Sequence, residues 1–356
     1  MIYLDANATD ILRPEARAAL LDAADLGGNA SSIHAAGRSA RRVLDQARAA
    51  VKARLNAGAA EIVFTSGGTE ADALAIHALG RGRRVIIGAT EHDAVRAAAK
   101  GAEILPVDGN GVADLDALRR LLEGPPALVC LMLANNETGT LQPVAAAARL
   151  CWAAGAFLFV DAAQVPGRMA VDVSAIGAHA LAISGHKLGA VPGVGALLLE
   201  PGIAPLPLLA GGGQERGWRG GTHALPAIAA LGAACTVPPS NLAPLRDALE
   251  AGLPPEAVII ARDVPRLPNT ACLALPGVSA QVQVINLDLA GIAVSAGAAC
   301  SSGKVTRSHV LDAMGLTDLS PCAIRVSLPW NATAADVSAF HSAYRQMARR
   351  LCHSAA

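Results

Sequence analysis

Short apolar runs alternate with amphipathic stretches through the first 200 residues. After a polar N-terminal arm, residues 1–13, Pro14 opens a predicted helix to Leu26, since proline suits a first helical turn. A long amphipathic helix is predicted from Ala35 to Leu55, with Val43, Leu44, Ala47 and Val51 inward and arginines outward. Seven apolar runs then read as strands: 61–65, 84–89, 103–107, 127–133, 157–160, 180–183 and 195–199. Helices are predicted between them: to about Leu79, from His92 to Lys100, from an Asp114 cap through Glu123, and from Pro143 to about Ala154. Such alternation predicts an α/β fold with a mainly parallel sheet.

The pattern changes after Pro201. Residues 201–221 are rich in glycine and proline, 226–235 read as a helix, and Pro238, Pro239 and Pro244 punctuate the next stretch. Beyond about residue 240 a smaller α+β domain is expected. Its candidate strands are 257–261, 271–275, 293–295 and 323–328, and its candidate helices 280–289, 307–314 and 334–351. The expected division is a large domain, 14–240, and a small one formed by 1–13 with 241–356.

Composition narrows the function. Hydrophobic residues make up 53% of the 356, but aromatics only 3%, so the core is built mainly of Ala, Val, Leu and Ile. Acidic and basic residues balance at 29 each, which argues against nucleic acid or an anionic membrane recognised through bulk charge. The N-terminus has no basic leader, and no run of about 18 apolar residues is present, so a cytoplasmic protein with no membrane partner is expected. The seven cysteines are odd in number, widely spaced and without a CxxC pair, which is neither a disulfide framework nor a zinc pattern. Cys130, Cys151, Cys235 and Cys272 lie in apolar surroundings and read as core residues.

Candidate chemistry gathers at strand ends, where open α/β sheets bind ligands. Ser66-Gly67-Gly68-Thr69, between a strand and a helix, has the form of a phosphate cradle, or of a plain capped turn. It is not a Walker A loop, because no Gly-Lys-Ser/Thr follows. His92 and Asn136 follow strands, although such residues are often structural. Asp161 ends an apolar strand with no Lys or Arg within six residues, and a buried carboxylate needs a partner. Gln164 follows it closely. Only four of the 29 basic residues are lysines, and one of them, Lys187, stands in Ser184-Gly185-His186-Lys187 after another strand. Arginine cannot act as an amine nucleophile, whereas a desolvated lysine can form a Schiff base. A cradle, an aspartate needing a cation, a ring-shaped neighbour and a lysine are what a pyridoxal phosphate site requires. No GxGxxG fingerprint follows the first strand to suggest a nicotinamide enzyme.

On this pattern the chain resembles the cysteine desulfurases, class V pyridoxal phosphate enzymes, over nearly its whole length. The resemblance rests on Tyr3–Thr9, Gly28–His34, Phe64–Glu70, Thr90–His92, Asn135–Gly139, Val160–Gln164, Ser184–Lys187, Gly211–Arg216, Arg219–Thr222, Ser295–Gly303, Ser308–Leu311 and Ile324–Leu328. It implies an aspartate-aminotransferase-like fold of type I, with a seven-stranded sheet and a smaller α+β C-terminal domain. It implies pyridoxal 5′-phosphate as cofactor, held covalently by Lys187. Gly68, Thr69, Ser184 and His186 would bind the phosphate, with Thr222 reaching the phosphate of a second subunit in a homodimer. Asp161 would pair with the pyridine nitrogen, Gln164 with the phenolic oxygen, and His92 would stack on the ring. Asn136 and Arg325 would hold the substrate carboxylate, with Asn7 nearby.

Cys300 would be the nucleophile, taking sulfur from L-cysteine as a persulfide and leaving L-alanine. Residues 296–303 hold two glycines, two serines and no bulky apolar side chain, as a moving loop requires. The span from Cys300 to His309 resembles the long-loop branch that serves iron–sulfur assembly, so an iron–sulfur scaffold or another sulfur acceptor is the expected partner. In that branch the cysteine can touch a nascent cluster transiently, without forming a stable metal site. A selenocysteine lyase or an aminotransferase of the same class is the competing enzyme reading, and a silent relative the non-enzymatic one. The chain departs from the family pattern at Ala30, Ala73, Val191-Pro192 and Pro329, and 236–246 is shorter than usual. These departures bear on the loop near Lys187 and on the partner surface.

Overall fold

The computed structural model describes residues 1–297 and 307–352. Cys300 therefore lies outside the described residues. The strands Glu61–Thr65, Gly195–Leu199, Ala180–Ser184, Phe157–Asp161, Ala127–Cys130, Arg84–Gly88 and Glu103–Leu105 form one seven-stranded sheet in that order. All run parallel except Gly195–Leu199, which is antiparallel to both its neighbours. Successive residues feed opposite cores. Ile62, Val129, Val160 and Ile183 pack on one face, and Val63, Leu128, Phe159 and Ala182 on the other. A sheet buried on both faces needs near-continuous apolar runs, and that is what the sequence supplies.

Two strands end earlier than expected, each for a local reason. The third run stops at Leu105, after which the Pro106 carbonyl faces away from the sheet and accepts from Asp114 N at 3.0 Å. The fourth loses its pairing with Arg84–Gly88 after Cys130, where the Met132 N–H turns to Glu91 Oε1 at 2.8 Å, while on its other side the N–H groups of Leu131 and Leu133 still donate to the Phe159 and Asp161 carbonyls.

The C-terminal part forms an antiparallel sheet of Ser295–Ala296, Ala323–Ser327, Thr270–Ala274 and Val258–Ile260. The expected 293–295 strand divides: Ile292–Ala293 pairs in parallel with Ile2–Tyr3, and Ser295–Ala296 turns to the larger ladder. Leu4 joins the apolar cluster of Leu273, Ile324, Phe340 and Tyr344, so the N-terminal arm is packed into the C-terminal part. The helix Ala243–Ala251 is not among the expected elements. Pro244, read as a breaker, sits in its first turn, where the missing N–H costs nothing.

Candidate functional site

The carboxyl ends of five strands of the large sheet open on one cavity of about 360 Å³. Its lining includes Gly68, Thr69, His92, Asn136, Asp161, Gln164, Ser184, His186 and Lys187. Residues from five separate segments of the sequence thus share one space.

Gly67 precedes the Gly68–Leu79 helix with φ 149°, a backbone that side chains disfavour. Gly68 opens that helix, and a Cβ there would stand 3.2 Å from Ser184 Cβ. The first turn thus presents free backbone N–H groups beside Ser184 and Thr69, an anion site by geometry. His186 completes that wall. Its Nδ1 is 3.0 Å from Thr9 Oγ1, and burial, with Lys187 and Arg168 near, lowers its pKa to about 4. The ring is therefore neutral at pH 7.

Lys187 closes a 3-10 turn, Gly185–Lys187, and its Nζ donates to the Asn7 carbonyl. Burial, reinforced by Arg325 and Arg168, lowers its pKa to about 7. Much of the amine is a free base at neutral pH, the state that attacks an aldehyde. Asp161 is buried. It accepts one backbone bond, from Ala163 N at 2.9 Å, and has no ion-pair partner among the described residues. Burial raises its pKa, while His92 and Lys187 pull it back. Gln164 gives its Nε2 to the Asn7 carbonyl at 3.1 Å and leaves its buried Oε1 without a partner. His92 stands exposed at the rim, where its Nδ1 caps the Asp93–Ala98 helix by accepting from Ala94 N at 3.1 Å.

Arg325, on the Ala323–Ser327 strand of the C-terminal sheet, is buried and is not part of the cavity lining. Its Nη2 donates to Asp5 Oδ1 at 2.7 Å and its Nη1 to the Asn136 carbonyl at 3.0 Å. The Asn7 side chain is buried and engaged within the protein. It donates to the Asn136 carbonyl and Thr270 Oγ1, and it accepts from Asn269 Nδ2. Thr222 lies outside the cavity. It is exposed and lines a neighbouring depression that shares Ser66 and Gly193 with the first. Pro192, where the chain departs from the family pattern, lines the cavity itself, with Gly193 beside it.

Four contributors do not stand out in the sequence. Arg168 is buried and donates to the carbonyls of Ala6, Gln164 and Lys187, tying three site segments together. Thr9 bonds His186. Asp72 and Glu91 are buried carboxyls near Asp161, both raised well above the ordinary carboxyl pKa by burial and by the charge of Asp161. They lie in or beside the matching motifs, but nothing in a linear pattern says that a helical aspartate points at a strand-end one.

The comparisons with known proteins agree with this geometry. The family model described as aminotransferase class-V matches residues 2–340. A cysteine desulfurase of Cereibacter sphaeroides is 42% identical over 94% of this chain and 92% of that protein. The solved NifS-like protein of Rickettsia africae superposes with a TM-score of 0.90 at 32% identity, covering 98% of this chain and 99% of the other. A second solved structure, SspA in complex with cysteine, reaches a TM-score of 0.82 at 26% identity over 94% of this chain and all of its own. Fold and sequence agree over nearly the full length: the chain belongs to the class-V aminotransferase family, in its cysteine desulfurase branch.

Proposed function

We propose that this protein is a pyridoxal-5′-phosphate-dependent cysteine desulfurase, converting L-cysteine to L-alanine while its sulfur passes to Cys300. The observation that carries the proposal is the pairing on one cavity of Lys187, an amine whose pKa is brought to about 7, with Asp161, a buried carboxyl with no ion-pair partner among the described residues. The cavity fits the cofactor feature by feature. The N-terminus of the Gly68–Leu79 helix, with Thr69, Ser184 and His186, suits a phosphate. The orphaned Gln164 Oε1 and the unpaired Asp161 suit the polar atoms of a pyridine ring. When bound, pyridoxal 5′-phosphate supplies an aldehyde for Lys187 or the substrate amine, and a ring that accepts the charge developing at Cα.

The chain's own residues then divide the work. Asp161 would keep the ring nitrogen protonated, Gln164 would bond the phenolic oxygen, and His92 would cover the ring. Arg325 and Asn136 bind the substrate carboxylate. Asn7 holds both the Asn136 carbonyl and, through its own carbonyl, Lys187. The freed amine of Lys187 removes the Cα proton, for which its near-neutral pKa is suited. The Cys300 thiolate attacks the substrate sulfur, forming an S–S bond. The Cβ–S bond breaks with its electron pair going to carbon, and protonation there, with return of a proton to Cα, completes L-alanine. The protein keeps a persulfide.

The finer reading is a cytoplasmic homodimer. In it Thr222 reaches the phosphate held by a second copy, and the persulfide sulfur goes to an iron–sulfur scaffold or another acceptor. The exposure of Thr222 beside the Ser66 rim supports it. No described helix is long and apolar enough to cross a membrane. The packing of Leu4 with the C-terminal cluster supports the division into 14–240 and 1–13 with 241–356.

The test is incubation with L-cysteine followed by mass spectrometry. The native protein should gain one sulfur on Cys300 and release alanine. Cys300→Ala should keep the yellow cofactor and release no sulfide. Sulfide release by that variant sinks the assignment, and transamination without sulfide favours an aminotransferase.

A further inference from the structure

Glu137 does not line the cofactor cavity, and none of the steps above uses it. Its carboxyl group nevertheless touches both flanks of the segment that contains Cys300. On the C-terminal flank, Ser308 Oγ donates to Glu137 Oε2 at 2.5 Å. On the N-terminal flank, Gly297 lies so close that a Cβ there would stand 2.8 Å from the same oxygen. Only glycine leaves room for the carboxyl at that point.

Both flanks are otherwise well held. Ser308 caps the His309–Ala313 helix by accepting from Leu311 N at 3.1 Å, and its own N–H donates to Ser320 Oγ at 2.9 Å. Gly297 N donates to the Ala323 carbonyl at 3.3 Å, on the strand that carries Arg325. Glu137 in turn is fixed by its neighbours. Its N–H donates to Asn135 Oδ1 at 2.9 Å, and the carbonyl of the preceding Asn136 receives Arg325 Nη1.

The carboxyl is buried and has no ion-pair partner among the described residues. Burial raises its pKa, with Ser308 and Arg325 opposing. An unpaired buried carboxyl is costly to keep, so its place between these flanks calls for a role.

We propose that Glu137 is a positioning residue for sulfur transfer. It fixes the two flanks of the Cys300 segment against the Asn136–Arg325 substrate site and so sets the reach of the Cys300 thiol. Glu137 exchanges no proton or bond with the substrate. The inference rests on the desulfurase reading and refines it.

The test uses the holoenzyme and two readouts: the absorbance change on adding L-cysteine, which reports substrate capture, and rapid-quench mass spectrometry of the Cys300 persulfide in a single turnover. In Glu137→Ala, persulfide formation should slow about ten-fold or more, the kinetic equivalent of one lost hydrogen bond. Cofactor content and the L-cysteine concentration for half the absorbance change should stay within about two-fold. Glu137→Gln, which keeps an acceptor for Ser308, should recover most of the rate. Should Glu137→Ala fail to fold, Gly297→Ala carries the test: it displaces the carboxyl and should give the same split. A persulfide rate within about two-fold of native, or a parallel fall in substrate capture and transfer, overturns the proposal. A native protein that forms no persulfide overturns the desulfurase reading itself, which keeps the two failures apart.

Discussion

Glu250 and Asp161 are both buried carboxyl groups, and their surroundings are opposite. Glu250, in the C-terminal part, meets Arg266 through two bonds of 2.7 and 3.0 Å, with side chains 6% and 4% exposed. The pair is closed, because each charge already has its partner. Asp161 receives a single backbone N–H and faces a cavity. A buried carboxyl that opens on a cavity with no ion-pair partner among the described residues can take its cation from a bound group. The buried ion pair thus belongs to the architecture, and the buried unpaired carboxyl to the site.

That contrast breaks if the wrong substitutions matter. The largest effect is expected from Lys187→Ala, which removes both covalent attachment and proton transfer. Turnover should fall by about 10⁴-fold, with cofactor lost on denaturing filtration. Asp161→Asn comes next, with kcat down about 10²- to 10³-fold at nearly native stability, since it withdraws a preplaced charge. Equal melting midpoints with unequal rates are the signature. Glu250→Ala should invert it. Leaving Arg266 buried and unpaired costs about 3 kcal/mol, read by urea denaturation, while kcat changes little. A Glu250→Ala variant with native stability and impaired turnover would reverse the assignment.

The smallest effect is in pH. Lys187 titrates near 7 in the fold against 10.5 ordinarily, so its amine is free above pH 7. Capture of added pyridoxal phosphate by the apo-protein should slow about ten-fold per pH unit below that point. The unfolded chain binds the extra proton between about pH 7 and 10.5, so this group makes the apo-protein more stable as pH rises through that window. Lys187→Met should flatten that dependence in the apo-protein's melting curve.

Much of this is legible in order along the chain. The seven strand runs, the Gly68 cradle, Asp161 and Lys187 all stand out because a parallel sheet buried on both faces writes itself as short apolar runs with polar residues at their ends. Arg168 does not stand out. An arginine seven residues past Asp161 reads as surface, yet it folds under the site to bond Ala6, Gln164 and Lys187. The 243–251 helix is hidden by Pro244, because the same residue that breaks a helix interior also starts one. Asn7 is expected near the substrate, and only the structure shows its side chain braced against Asn136, Thr270 and Asn269. Thr222 stays apart from the other phosphate candidates, exposed beyond the Ser66 rim.

The sequence by itself determined the alternating architecture and the family, and it marked the candidate reactive groups, because periodicity and residue chemistry are local properties. Only the tertiary structure decided their state. Lys187 is brought toward a pKa of 7 by burial and by arginines 138 positions onward and 19 positions back in the chain, at Arg325 and Arg168. Asp161 is buried, with no ion-pair partner among the described residues, by the packing of strands whose neighbours the chain order does not reveal. Glu137 meets Ser308 across a separation of 171 residues. Desolvation and charge proximity depend on distances in space, and those exist only once the chain has folded.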